Sequence, residues 1–123
     1  MAISPSLEDY LEAIYIVSDE SGARTTDIAA HLGVSKASVN QAAGLLAERE
    51  LIRQERYGPI YLTASGEEKA RSIFHRHQLI KSFLTKVLKV DEATAEQDAC
   101  NMEHVISKIT VKKLAKFMEK KVN

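Results

Sequence analysis

Cys100-Asn101-Met102-Glu103-His104 places the one cysteine of the chain a helical turn before an adjacent Glu-His pair. If residues 94 to 108 are helical, positions 100, 103 and 104 share a face and can converge on one point, because residues three and four apart are neighbours on a helix. A thiolate, a carboxylate and an imidazole together make a ligand set for a divalent transition metal. On the same helix Glu96, Cys100, Glu103, His104 and Ser107 form a polar stripe beside an apolar one of Ala95, Ala99, Met102, Ile106 and Ile109. A packing helix needs no thiol there, although an inert buried cysteine beside a solvated Glu-His pair accounts for the same letters.

Two further segments offer groups of the same kind. Asp9 and Glu12 point away from the stripe of Leu7, Tyr10, Leu11 and Ile14. Each has a plainer reading: Ser6-x-x-Asp9 has capping-box form, and Glu12 serves equally as a surface acid. His77 falls within the apolar arc of Ala70, Ile73, Phe74, Leu84 and Leu88, where a core histidine with satisfied hydrogen bonds is the ordinary expectation. His75 is oriented differently and is left aside. Acids, imidazoles and a thiol on three separate helices gain meaning jointly, because a helical bundle could bring them together.

The elements that must position these groups are mostly helical. Ser6 is placed to cap a first helix, whose apolar residues run to Val17 and which ends before Gly22. A second begins after Thr25 or Thr26 and stops near Gly33, and Ser35 caps a third over about residues 36 to 49. Leu51 to Glu55 and Ile60 to Thr63 have strand character, with turn chemistry at Tyr57-Gly58-Pro59 between them. A long helix follows from Ser65 to about Leu88, then two more around 92 to 107 and 110 to 121. The fold class is mostly α: a winged helix-turn-helix over residues 1–64, followed by a helical region over 65–123.

The segment Thr26-Asp27-Ile28-Ala29-Ala30-His31-Leu32-Gly33-Val34-Ser35-Lys36-Ala37-Ser38-Val39-Asn40-Gln41 points to DNA. A helix-turn-helix needs a small residue where the helices touch, a turn glycine and a buried branched residue in the second helix, and Ala29, Gly33 and Val39 supply them. Thr26, Ser35, Lys36, Ala37, Ser38 and Gln41 then become contact candidates. Ser and Lys suit phosphates, Gln suits adenine and Ala suits a thymine methyl. Arg53 and Arg56 in the wing can hold the adjoining backbone. A helix pair used only for packing is the alternative.

Composition bounds these readings. The 123 residues are 45% apolar with five Gly and two Pro, which predicts one modest core and not two independent domains. Seventeen basic and seventeen acidic side chains cancel, so a DNA reading must rest on a local surface. A single cysteine excludes an internal disulfide framework and suits a reducing compartment. No apolar run approaches the roughly 20 residues that cross a bilayer, and no charged-then-apolar leader opens the chain. The expected location is the cytoplasm, with no membrane partner.

Ser6-Leu7-Glu8-Asp9-Tyr10-Leu11-Glu12-Ala13-Ile14-Tyr15, the helix-turn-helix, Leu62-Thr63-Ala64-Ser65-Gly66, Arg76-His77-Gln78-Leu79 and Cys100-Asn101-Met102-Glu103-His104-Val105-Ile106-Ser107 occur in this order. With them the chain resembles the diphtheria-toxin-repressor and manganese-transport-regulator family of metal-dependent transcriptional repressors, in a short form. The resemblance implies a homodimer joined through the helices after the wing, which binds palindromic double-stranded operator DNA when loaded with a divalent metal. It implies Asp9, Glu12, His77, Cys100, Glu103 and His104 as metal ligands. Cys100 matches the iron-responsive branch and Asp9 the manganese branch, so Mn(II) and Fe(II) are the expected ions. Lys81 stands where iron-branch members carry a carboxylate and Glu96 where they carry a histidine, so an ancillary site of that branch's kind is not expected to be complete.

Two other classes account for parts of the chain. A winged-helix regulator that needs no metal, responding through oxidation of Cys100, keeps the DNA reading. A metalloenzyme with Glu103 as general base explains neither the recognition helix nor the wing, so no enzyme is expected.

Overall fold

Ser4, and not Ser6, opens the first helix. In the computed structural model, which describes residues 3–56 and 58–122, helix α1 spans Pro5–Val17. The Ser4 hydroxyl accepts the Leu7 N–H at 3.2 Å. Pro5 fills the first helical position, where a missing N–H costs nothing. The Ser6-x-x-Asp9 capping box expected from sequence is therefore not formed, and Asp9 lies two residues deeper in the helix.

Helix α2 (Thr25–Leu32) ends at Gly33, whose φ of 67° is the left-handed conformation a side chain disfavours. Helix α3 (Lys36–Glu48) starts at Ser35, which accepts the Ser38 N–H at 3.1 Å. Strands β1 (Ile52–Gln54) and β2 (Ile60–Leu62) pair antiparallel, Arg53 opposite Tyr61. Both are shorter than their sequence pattern suggested. Tyr57, one of the three expected turn residues, lies outside the described residues. Ala23 adds a bridge that no sequence signal announced, exchanging two 2.8 Å backbone hydrogen bonds with Ile60.

Helix α4 (Ala64–Ser82) is capped by Thr63, whose hydroxyl accepts the Gly66 N–H and donates to the Glu50 carbonyl. Any Cβ at Gly66 would lie 1.8 Å from the Leu51 carbonyl oxygen, so only glycine admits this approach. The expected continuous helix to Leu88 widens instead into a π-turn over Phe83–Val87, closed by Leu88 N–H to Phe83 O. The Thr85 hydroxyl donates to the Lys81 carbonyl and so stands beside the ladder at the point where it changes.

Helix α5 (Glu92–Met102) is capped by Asp91 and stops five residues before its expected end near 107. Ser107 belongs to the next element: its hydroxyl accepts the Thr110 N–H and caps helix α6 (Lys108–Val122). A residue that caps the following helix is itself non-helical, so a preceding helix must stop before it.

The backbone separates into two compact units, Met1–Arg71 and Ser72–Asn123, where one core was expected. In the first, α1, α2 and α3 pack on one another around Leu11, Ile14, Ile28, Val39 and Leu46, with Ile52 and Ile60 of the wing buried as well. In the second, Ile80, Leu84, Ala95 and Ala99 form a small core with Phe83, Val90, Ile106 and Leu114 packed against it. Phe83 meets Phe117 edge to face at 6.1 Å. Among the described residues no helix is long and apolar enough to cross a membrane.

Candidate functional site

Glu103 is the most buried charged side chain among the described residues, at 0% exposure. It follows α5 as its capping residue, yet keeps helical dihedrals (φ −59°, ψ −25°), with its N–H on the Ala99 carbonyl at 3.0 Å. Cys100 and Glu103 therefore stay one turn apart although the helix ends between Met102 and Glu103. The first condition of the sequence reading is met by the cap geometry and not by a longer helix.

From α4, His77 reaches the same place. Its Nδ1 lies 3.2 Å from Glu103 Oε1 and 3.9 Å from Cys100 Sγ, so one ligand atom from each of the three lies within 4.8 Å of the others. Only one oxygen of Glu103 is used. Oε2 is buried and has no hydrogen-bond partner among the described residues. An ionised carboxylate removed from water needs compensation at both oxygens, and an uncompensated one is costly. A thiolate, an imidazole nitrogen and a carboxylate oxygen with an open lone pair fit a divalent transition metal.

Without an ion, a proton does part of that work. His77 Nε2 lies 2.9 Å from Glu96 Oε2, so both ring nitrogens face carboxylates and both must donate. The ring is thereby held as imidazolium. The Glu103 hydrogen bond, opposed by burial and aided by Glu96, pushes the His77 pKa up to about 9. For Glu96, burial alone would raise the carboxyl, but the Lys81 ammonium and the His77 ring outweigh it and leave it lowered. Lys81 Nζ lies 3.0 Å from Glu96 Oε1. Sequence placed Glu96 on the polar stripe and read it, with Lys81, only as a departure from a family pattern. The one legible signal was that Glu96 precedes Cys100 by four residues on the same face.

The other expected ligands lie as follows. His104 follows Glu103, half-buried. Asp9 and Glu12 sit on α1 in the first unit, Asp9 half-buried and Glu12 buried at 8% exposure, against the surface acid that a plain reading of Glu12 required.

The helix-turn-helix presents Thr26, Ser35, Lys36, Ala37 and Gln41 as exposed residues, with Ser38 half-buried. Ser35 is partly committed to its own helix, since its hydroxyl also donates to Ser38 Oγ at 3.0 Å. A cleft of about 970 Å³ runs between α3 and the wing, and Thr26, Lys36 and Arg56 line it as expected sites. Arg24, Asn40 and Gln54 line it too and were missed. Arg24 precedes α2 outside the motif's spacing, and Asn40 was set aside for its neighbour Gln41. Three cations against one acid, Glu55, give this cleft the positive character that the neutral chain as a whole lacks. Arg53 lies with its guanidinium 4.7 Å from the centre of the Tyr61 ring, on the exposed face of the hairpin.

A three-helix unit with a two-stranded wing, followed by helices that bring together a thiol, an imidazole and a carboxylate, defines the class of winged-helix regulators with a metal-binding helical region. Residues 2–60 match the model of the iron dependent repressor N-terminal DNA binding domain. Residues 63–122 match that of the iron dependent repressor metal binding and dimerisation domain. The chain belongs to the iron-dependent repressor family, which comprises DNA-binding transcriptional regulators and not enzymes.

An HTH-type transcriptional regulator of Methanocaldococcus jannaschii, itself uncharacterised, is 38% identical over 120 residues, covering 96% of both chains. The HTH-type transcriptional regulator MntR of Shouchella clausii is 38% identical over 105 residues, 85% of this chain and 73% of that one. The solved structure of the manganese regulator SloR superposes with a TM-score of 0.82 at 29% identity, over 95% of this chain. The chain spans 55% of that longer protein.

Proposed function

We propose that the chain is a metal-activated transcriptional repressor that binds operator DNA as a homodimer when loaded with Mn(II) or Fe(II), in the cytoplasm, and controls genes of metal homeostasis. The observation that carries the metal part is the buried Glu103 oxygen without a partner, beside His77 and Cys100. His77, Cys100 and Glu103 would hold the ion, with Asp9, Glu12 and His104 as the proposed remaining ligands. The burial of Glu12, an acid on a helix otherwise buried through apolar residues, supports its part. The ion itself would supply the positive charge that this set of donors lacks.

Mn(II) is favoured by the carboxylates and Fe(II) by the thiolate. The likeness to a manganese regulator inclines the reading slightly to the former. DNA contact falls to the cleft, where Arg24, Lys36 and Arg56 take phosphates and Asn40 or Gln41 reads a base edge. In this reading α1 contributes ligands from the DNA-binding unit and α4 and α5 from the other. Metal loading thereby selects the arrangement in which two recognition helices match half-sites about 34 Å apart. By linkage, operator DNA must tighten metal binding by the same factor.

The test is fluorescence anisotropy on a duplex selected from a random pool by the metal-loaded protein, titrated with Mn(II), with Fe(II) under anaerobic conditions, and with chelator. Metal should strengthen binding at least tenfold. Equal affinity with ion and with chelator rejects metal activation.

A further inference from the structure

Charge is segregated along this neutral chain. Helix α6 carries six lysines and one acid, a net charge of +5, so the residues outside it are net −5. The first unit, Met1–Arg71, which holds the helix-turn-helix and the wing, has seven basic and eleven acidic side chains and is net −4. The unit that must approach a polyanion is thus acidic outside its cleft, while the excess positive charge is gathered on one helix of the other unit.

The lysines of α6 are also ordered. Lys108, Lys112, Lys116 and Lys120 follow at four-residue spacing with Lys113 beside them, so all five fall on one side of the helix. Each is exposed, and none makes an ion pair among the described residues. The buried Met118 and the half-buried Val111, Leu114 and Ala115 take the other side. Helix stability does not account for the stripe. Three i,i+4 pairs of like charge oppose it, and Lys108 stands at the first helical position, where the helix dipole disfavours a cation. A dimer seam does not account for it either, because in a two-fold interface a patch meets its own copy and like charges would face each other. The stripe does match a row of phosphates. From Lys108 to Lys120 the helix runs about 18 Å, along which one strand of a duplex presents about five phosphates.

We propose that the lysine face of α6 is a second DNA-binding surface, which takes the sugar-phosphate backbone of double-stranded DNA without reading its sequence. The proposal rests on the DNA part of the reading above and goes beyond it. The cleft beside α3 would select the sequence, and α6 would supply electrostatic attraction that the acidic first unit lacks.

Fluorescence anisotropy on a duplex of scrambled sequence, titrated with the full Mn(II)-loaded chain at several salt concentrations, tests it. Lys112→Gln/Lys116→Gln should lower the slope of log affinity against log salt by about 2 and weaken binding at least tenfold at low salt. Lys112→Arg/Lys116→Arg keeps the charge and should bind as wild type does. Glu119→Gln removes the one acid of the helix and should strengthen binding. These effects should add to those of Arg24→Ala/Lys36→Ala, since independent surfaces contribute additively. Circular dichroism and gel filtration check that fold and association state are kept. Glutamine is a good helix former at such exposed positions, and Glu119→Gln keeps the test available if the glutamine pair alters the assembly. An unchanged salt slope in the folded glutamine pair overturns the proposal. So does a glutamine pair that loses binding to phosphatidylserine vesicles and not to the duplex, because the stripe would then serve a membrane surface. A wild type that binds no duplex overturns the DNA reading instead.

Discussion

Glu103 offers one oxygen to His77 Nδ1 at 3.2 Å and leaves the other buried with no hydrogen-bond partner among the described residues. The pair is half of a site: the proton on His77 compensates one lone-pair direction and nothing compensates the other. Glu103→Gln keeps the volume and removes the charge. Its affinity for Mn(II) should fall at least as far as the loss of an outer-sphere partner produces, ~10–100-fold. Circular dichroism should show the helices retained. Unchanged Mn(II) affinity in calorimetry would remove Glu103 from the ligand set.

The same pair fixes a pH dependence in the metal-free protein. The folded His77 pKa, about 9, lies above the ordinary value of 6.5, so its contribution to stability is fully present below pH 6.5 and is lost as pH rises through 9. The ring must also release its proton before a nitrogen can ligate. Metal affinity should therefore fall about tenfold per pH unit on this account alone as pH drops below the folded pKa. Nuclear magnetic resonance of the His77 ring in the metal-free protein checks it. A midpoint near 6.5 would refute the imidazolium bridge, and Glu103→Gln should move the midpoint downward, since its hydrogen bond is the largest cause of the rise.

How much of this was legible in the sequence follows from what periodicity records. Cys100 and Glu103 share a face whether or not the helix continues, so their pairing was readable, as were Gly33 and Ser35 from conformational and capping preferences. The early end of α5 was not, because Ser107 caps the following helix and a cap position leaves no mark on the hydrophobic pattern. His77 fell on an apolar arc and is buried as that arc required, but only the fold supplies the two carboxylates that face it. The Lys81–Glu96 pair joins two helices across fifteen positions of sequence, and no spacing rule within one helix reaches it. The π-turn after Ser82 was likewise hidden, since an i to i+5 bond requires only one extra residue in a turn and any helical pattern tolerates it.

For the DNA face, Arg24 and Lys36 line the cleft between α3 and the wing, and neither contributes to the core. Their replacement by alanine should weaken operator and unrelated duplexes alike. Each should reduce the slope of log affinity against log salt by about 1. Asn40→Ala should act differently, lowering affinity for the selected sequence by ~1–3 kcal/mol while leaving unrelated duplexes nearly unaffected. Anisotropy titrations at several salt concentrations separate the two kinds of loss. A salt slope unchanged in both Arg24→Ala and Lys36→Ala would move the phosphate contacts elsewhere.

Cys100 tests which ion the cluster prefers. Its sulfur lies 3.9 Å from His77 Nδ1 and 3.6 Å from Glu96 Oε2, so a ligand at this position shares its surroundings with both nitrogen and oxygen donors. A thiolate strengthens Zn(II) and Co(II) far more than Mn(II), because the first two are the softer ions. Cys100→Asp keeps one negative donor of similar reach and changes its softness. Co(II) and Zn(II) should weaken by about tenfold or more, about 1.4 kcal/mol, while Mn(II) holds or improves. Cobalt reports the bond directly, since a thiolate on Co(II) gives a sulfur-to-metal charge-transfer absorption that the variant must lose. Equal weakening of all three ions, with that absorption absent from the wild type, would mean that Cys100 packs beside the ion without binding it.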